Sequence, residues 1–354
     1  MSDHSDLNQP SPLAPRPSPR RIVIVAPNWL GDAVLALPAM EAVRRARPDA
    51  QLTIAARRSI ADVFTLVPWA AVLPLQSDAR WWRRAAFRAD VEALRSFDAV
   101  LLLPNSFQSA WMVKAAGIAE RWGYASDARR RLLTRAVPRS RGGHQAEYYQ
   151  RLVAALDMPA ELVAPQIDVP DATRTAAGEL LEREGHRRGV PLVVLAPGAA
   201  YGKAKQWIPS HVAALIAKLA GTGVTCALVG SRADRPTVNV IRADLADRAS
   251  IDLVGRTSLQ ELAGVLAIAD ACVCNDSGAM HLAAAVGAPV VATFGPTNEH
   301  ATRPLPRQGR VAEVLTHEVW CRPCMLRECP IDHRCMSGIT PDRVFAAVAA
   351  RVLR

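Results

Sequence analysis

The sequence predicts an α/β protein of two parallel-sheet domains facing one another across a cleft. Three observations carry that prediction. Short apolar runs bounded by Gly, Pro or Asn alternate with segments of helical period along nearly the whole chain, the pattern of βαβ units. The alternation halts once, over the Pro-bearing residues 158–170, and then restarts. The 354 residues, half of them hydrophobic, suffice for about two cores.

Residues 1–20 hold no apolar segment and read as a disordered lead-in rather than an export signal. The first domain, 21–165, opens with a buried strand over 22–26, the loop Pro27-Asn28-Trp29-Leu30-Gly31-Asp32, a helix over 33–46 and a strand over 52–55. That loop is not G-x-G-x-x-G, and the second half lacks the motif too, which disfavours a dehydrogenase. A short helix over 60–66, a strand over 71–75 and a helix over 89–95 follow. Next come a central strand over 98–103, a helix over 109–116 closed by Gly117, a strand over 120–124 and a helix over 144–156. Two basic stretches interrupt them. One is Trp81-Trp82-Arg83-Arg84 with Arg88. The other is a looped segment carrying Arg129, Arg130, Arg131, Arg135, Arg139 and Arg141, for which a solvated surface is the commoner meaning.

The second domain, 171–340, begins with a helix over 172–185 and a strand over 191–196 that stops at Pro197-Gly198. A Gly-bearing loop to Trp207 carries Lys203 and Lys205. Helices over 209–220, 236–245 and 258–267 then alternate with strands over 224–229 and 251–254, and Ser258 with Glu261 forms a capping box. A last helix over 341–353 ends the chain.

The second domain is organised around ACVCNDSGAMHLAAAVGAPVVATFGPT, residues 271–297. It reads as strand, tight turn, alanine-rich helix closed by Gly287, and strand. Ser277 takes the N-cap position and Gly278 the first helical one, so free backbone N–H groups point out of a helix start behind a parallel strand, a ready phosphate site. His281, one turn on, offers a ring nitrogen to the same anion. The plainer alternative is a helix cap and a core histidine. The polar cluster Asn275-Asp276-Ser277-Gly278 against an alanine-rich helix favours the ligand site.

Composition narrows the function classes. A net charge of +10 and a pI near 9.7 expect an acidic partner: nucleic acid, an anionic membrane surface or a phosphorylated substrate. Aromatic residues are 5% of the chain, too few for an evident base-stacking platform. No apolar run reaches membrane-spanning length. Seven cysteines without an export signal fit a reducing cytoplasm. Four of them, Cys321, Cys324, Cys329 and Cys335, form C-x2-C-x4-C-x5-C with His333 inside. Four thiolates suit a structural zinc ion or an iron–sulfur cluster; reduced thiols or facultative disulfides are the alternatives. Asp32 is either an N-cap aspartate or a carboxylate facing the cleft, placed to take a proton from a hydroxyl. Lys203 and Lys205 are ordinary surface lysines or phosphate partners at the same sheet edge as Ser277 and Gly278.

NWLGDAVLALP after the first strand, PGAAYGKAKQW and NDSGAMHLAAAVGAPVVATFGPT together, in that order, resemble the ADP-heptose:lipopolysaccharide heptosyltransferases, most closely the heptosyltransferase II group. The resemblance implies a GT-B fold of two Rossmann-like domains, with the C-terminal helix, 341–354, returning to the first. It implies inverting transfer of L-glycero-D-manno-heptose from ADP-heptose onto the heptose already on the lipopolysaccharide inner core. No cofactor and no catalytic metal are expected. The enzyme is expected to be cytoplasmic, peripheral to the inner face of the inner membrane, and not to bind nucleic acid. Carried over by position, Asp32 is the general base, Lys205 contacts the donor pyrophosphate, and Ser277, Gly278 and His281 form the phosphate-binding helix start. Asp276 lies near the donor sugar, and repulsion from a pyrophosphate assigns it to sugar hydroxyls. Ala200 and Tyr201 stand where some relatives place threonines. The alternatives are another nucleotide-sugar transferase or epimerase of the same fold, and a cysteine-cluster protein that binds nucleic acid.

Overall fold

The structure is a computed structural model that describes residues 19–76, 84–245 and 250–353. The expected lead-in up to residue 18, and Trp81, Trp82 and Arg83 of the first basic patch, lie outside the described residues. Two six-stranded sheets form the frame. The first holds β1 (Arg21–Val25), β2 (Gln51–Arg57), β3 (Ala71–Leu75), β4 (Ala99–Leu102), β5 (Glu120–Tyr124) and β6 (Arg135–Val137), in the order β3-β2-β1-β4-β5-β6. The second holds β7 (Leu192–Ala196), β8 (Thr225–Leu228), β9 (Ile251–Asp252), β10 (Ala271–Asn275), β11 (Val290–Phe294) and β12 (Ala312–Thr316), in the order β12-β11-β10-β7-β8-β9. Each adjacent pair runs parallel.

The central strands β4, β7, β10 and β11 are buried along their whole length, as continuous apolar runs covered on both faces must be. In the first sheet the strand order reverses between β1 and β4, where Ile22 pairs with Ala99. In the second it reverses between β7 and β10, where Ala196 pairs with Cys274. Open parallel sheets bind ligands beyond the carboxyl ends of such switch points. The segments that follow these four strands carry Asp32, Asn105, Lys205 and Ser277.

Several boundaries differ from the sequence expectation. The helix expected over 33–46 is two helices, Leu30–Leu35 and Leu37–Ala46, because Pro38 cannot continue the hydrogen-bond ladder and instead occupies the first turn of the second. The basic segment 129–141 is not all solvated loop. Arg129 is completely buried, and Arg135–Val137 is an edge strand. The Arg129 guanidinium donates to the carbonyls of Tyr124 (2.9 Å) and Pro104 and to Ser109 Oγ (3.3 Å), tying together the ends of β4 and β5. The strand Ala312–Thr316 has no counterpart in the sequence reading.

The C-terminal helix corrects a further expectation. Pro341–Val352 does not return to the first domain; it docks on the helix Pro209–Ala220 of the second. Its Val344, Ala347 and Val348 share a core with Leu215, Ile216 and Leu219, and Lys218 pairs with Asp342 at 2.8 Å. Just ahead of it, the Ile339 carbonyl accepts a hydrogen bond from Trp207 Nε1 at 2.8 Å.

The two halves touch. The helix starting at Leu30 meets the helix Gly278–Val286 near both of their amino ends, and only glycine fits there. A Cβ on Gly31 would stand 2.8 Å from His281 Cδ2, and one on Gly278 would stand 2.9 Å from Leu30 Cβ. His144, the N-cap of the helix Gln145–Ala154, donates from Nε2 to the Arg303 carbonyl across the same boundary at 2.9 Å.

Candidate active site

Asp32 sits in the first turn of the helix Leu30–Leu35, not at its N-cap, which is Trp29 and makes no side-chain cap bond. Its carboxyl group is therefore free of a capping duty. It is pushed up from 3.8 to about 6, chiefly by burial. The ammonium of Lys205 pulls it back down, Asp276 raises it, and Tyr149, whose hydroxyl is turned toward it, lowers it. The first sheet's carboxylate thus feels charged groups of the second.

Lys205 lies at the end of a 3-10 turn, Lys203–Lys205, in the loop after β7. Its Nζ donates to Asp276 Oδ2 at 2.6 Å, and the same oxygen accepts from Thr297 Oγ1 at 2.7 Å. Both side chains of the ion pair are largely removed from water, 12% and 5% exposed. The ammonium also stands 4.7 Å from the centre of the Tyr201 ring, a cation–π contact. Asp276 is thus turned toward Lys205 and Thr297. Asn275 fixes the turn from beneath: its Oδ1 accepts from Trp207 N at 3.0 Å and from Thr293 Oγ1 at 3.0 Å, and its Nδ2 donates to the Pro197 carbonyl at 2.7 Å. One asparagine pins the β7 and β10 loops together, which holds Lys205 beside Asp276.

Ser277 occupies the N-cap position of the helix Gly278–Val286, yet its hydroxyl makes no cap bond and is buried with no partner among the described residues. The Nδ1 of His281 is likewise buried with no partner among them. Buried polar atoms are almost always satisfied, so two orphans at one helix start mark a place where a ligand supplies the missing bonds. Burial lowers His281 from 6.5 to about 4, so its ring is neutral at physiological pH. It offers an anion a hydrogen bond at most, not a charge.

The structure therefore brings Asp32, Lys205, Asp276, Ser277, Gly278 and His281 to one crevice between the carboxyl edges of the two sheets. Sequence reasoning missed Tyr149 and gave Asn275 only a place in the polar cluster. Tyr149 lies in a segment read only as helix, and nothing local signals that it faces Asp32. Asn275 was visible as the polar residue that stops an apolar strand, but its partners lie 18 to 78 residues away.

Beside the crevice opens a cavity of about 920 Å³ lined by residues of both halves, among them Asn105, Arg130, Arg139, Arg141 and Ala301. Gln145, in its wall, interacts with the Tyr149 hydroxyl, which leads from the cavity to Asp32. Among the described residues no helix is long and apolar enough to cross a membrane.

The sequence profile of glycosyltransferase family 9 (heptosyltransferase) matches residues 87–334. The chain is 30% identical to lipooligosaccharide heptosyltransferase 2 of Haemophilus ducreyi, over 92% of this chain and 97% of that protein. It is 29% identical to lipopolysaccharide heptosyltransferase 1 of Pseudomonas aeruginosa, over 94% and 98%. The solved structure of Escherichia coli ADP-heptose lipopolysaccharide heptosyltransferase II superposes with a TM-score of 0.80 at 27% identity, covering 94% of this chain and 98% of that one. Two facing parallel sheets, a crevice of this composition and these likenesses lead to one conclusion: the chain belongs to glycosyltransferase family 9, the heptosyltransferases of lipopolysaccharide core biosynthesis.

Proposed function

We propose that this heptosyltransferase is of the second kind: it transfers L-glycero-D-manno-heptose from ADP-heptose to the first heptose of the lipopolysaccharide inner core, inverting the anomeric carbon. The observation that carries the mechanism is the placement of Asp32, from one sheet, opposite Lys205 and the Ser277-Gly278 helix start, from the other. Glycosyl transfer to a hydroxyl needs a base on one face of the carbon and a stabilised leaving group on the other. Asp32 takes the acceptor hydroxyl proton as the new C–O bond forms. The bond from the anomeric carbon to the diphosphate breaks, and the electron pair leaves with ADP. Lys205, the free N–H groups of the helix start and the Ser277 hydroxyl meet the charge that develops there. Asp276 contributes through Lys205, which it orients, rather than through sugar hydroxyls. A base at about 6 is mostly ionised at neutral pH while keeping a useful proton affinity.

The large cavity with Arg130, Arg139 and Arg141 suits an acceptor bearing phosphates and acidic sugars. The same basic surface favours work at an anionic membrane, on the cytoplasmic side of the inner membrane. The deciding assay incubates the protein with ADP-heptose and two acceptors, one ending at the first heptose and one lacking any heptose. A mass gain of one heptose on the first acceptor alone supports the proposal. Gain on the heptose-free acceptor alone would reassign the chain to the first transfer.

A further inference from the structure

The C-x2-C-x4-C-x5-C segment is used by none of the chemistry above, yet the fold gathers it. Cys321, Cys324, Cys329 and Cys335, together with His333, line one small cavity of about 20 Å³. That is too small for a substrate and has room for one water or a single ion. None of the four thiols is in a disulfide; Cys335 is buried, Cys321 and Cys324 are half-buried and Cys329 is exposed. The backbone N–H of His333 donates to Cys329 Sγ at 3.3 Å, a bond that favours the thiolate over the thiol. Met325 and His333 hold the left-handed conformation, at φ 56° and 57°, which turns the chain back around the cavity. His333 Nε2 donates to the Ala204 carbonyl at 2.6 Å, and the four sulfurs alone suffice for a tetrahedral donor set.

We propose that Cys321, Cys324, Cys329 and Cys335 bind one thiophilic metal ion, zinc or iron, in a tetrahedral four-sulfur site. Four thiolates with one C-x2-C pair select such ions and fill all four positions, leaving none for a substrate. The site is structural. Among the described residues no group of three or more His, Cys, Asp or Glu side chains stands in metal-binding geometry, so binding requires the four sulfurs to move closer together.

Its location says what the ion does. The cysteine segment packs on the loop that carries Lys205. Ala204 N donates to the Arg327 carbonyl at 2.9 Å, and the Tyr201 hydroxyl donates to the Met325 carbonyl at 2.7 Å. Gly202 lies so close that a Cβ there would stand 2.3 Å from the Arg327 carbonyl oxygen. Knotting residues 321–335 around an ion therefore rigidifies the Lys203–Lys205 turn. This last consequence rests on the proposed donor site; the metal site itself does not.

The test is elemental analysis of the full-length chain, purified reduced, without chelator or nickel affinity. One equivalent of zinc or of iron per chain is expected, the two distinguished by the analysis itself, and cobalt substitution should give the visible bands of a tetrahedral thiolate site. Cys324→Ser and Cys329→Ser should each lose the metal. To keep the test independent of how these variants fold, thiol titration of the native wild-type chain runs beside them. Metal ligation predicts that Cys321, Cys324 and Cys329 stay unreactive until a mercurial or strong chelator releases the ion. Metal-free protein, immediate reaction of those thiols, or disulfides found by mass spectrometry would overturn the proposal. ADP affinity should weaken several-fold when the ion is stripped. Intact metal content with unchanged ADP affinity would count against the donor role of Lys205 and leave the metal site standing.

Discussion

At the residue scale the site turns on two carboxylates with opposite duties. Asp32 has no permanent cation and is held at about 6, whereas Asp276 is buried with the ammonium of Lys205. The raised value means that the folded state binds the Asp32 proton more tightly than the unfolded chain does. The ionised carboxylate therefore costs stability above pH 6, and that cost fades as the pH falls toward 3.8. A shift from 3.8 to about 6 corresponds to on the order of 3 kcal/mol. Asp32→Asn should accordingly raise the melting temperature at pH 7.5 while abolishing heptose transfer and leaving ADP affinity near wild type, as read by thermal denaturation, turnover and calorimetry on one preparation. In the wild type kcat/KM should fall with acid along a limb centred near 6, since only the ionised base accepts the proton. Lys205→Ala removes the partner of a buried charge, which costs about 3–5 kcal/mol where such pairs are broken. A lower melting temperature and weaker ADP binding are expected together, and Asp276→Asn in the same background should restore part of the stability but none of the affinity.

At the element scale, the helix Gly278–Val286 was legible in detail. A polar stop, an alanine-rich run and Gly287 mark its start, body and end, and Gly287 does take the left-handed conformation, at φ 94°, that closes a helix. The same local chemistry could not say that its amino end abuts a second helix from the other half. That contact depends on Gly31 and Gly278 lacking side chains, and a missing Cβ looks alike in a turn and in a packing contact. Elements whose register is set by distant partners were harder still. The edge strand Arg135–Val137 carries an arginine, an alanine and a valine, too short a run to show period, and pairing with β5 alone makes it a strand. Arg129 resembles its exposed neighbours in sequence, yet carbonyls at the ends of two strands recruit it inside. Gly278→Ala tests the helix contact. The new methyl would stand 2.9 Å from Leu30 Cβ, so the halves must part. A stability loss of about 1–3 kcal/mol is expected. Turnover should fall by more than ADP affinity, because the acceptor base and the leaving-group pocket lie on opposite sides of that contact.

At the scale of the whole molecule, sequence patterning told that there are two halves and which edges face, but not where every piece docks. The C-terminal helix shows why. Its apolar stripe announces that it packs on something; the choice between halves was made by Leu215, Ile216, Leu219 and the Lys218–Asp342 pair, which no pattern within the helix encodes. The charge distribution is a property of the same scale. The chain carries +10 overall, and the crevice mouth gathers Arg130, Arg139 and Arg141 around a cavity to which both halves contribute. In the proposed mechanism an exposed guanidinium in such a cavity steers and holds an anionic acceptor while leaving the donor pocket at Lys205 and Ser277 untouched. Arg139→Ala with Arg141→Ala should therefore raise KM for a phosphate-bearing acceptor by about tenfold, the size expected from losing one or two charge-assisted bonds. The affinity for ADP and the melting temperature should stay within error. Two controls separate recognition from general attraction. With an acceptor stripped of phosphate the double variant and wild type should converge, and added salt should weaken wild-type acceptor binding more than it weakens the variant's. Equal KM values on the phosphorylated acceptor would remove these arginines from recognition and send the search for the acceptor's anion partner to other parts of the cavity wall, Arg130 first.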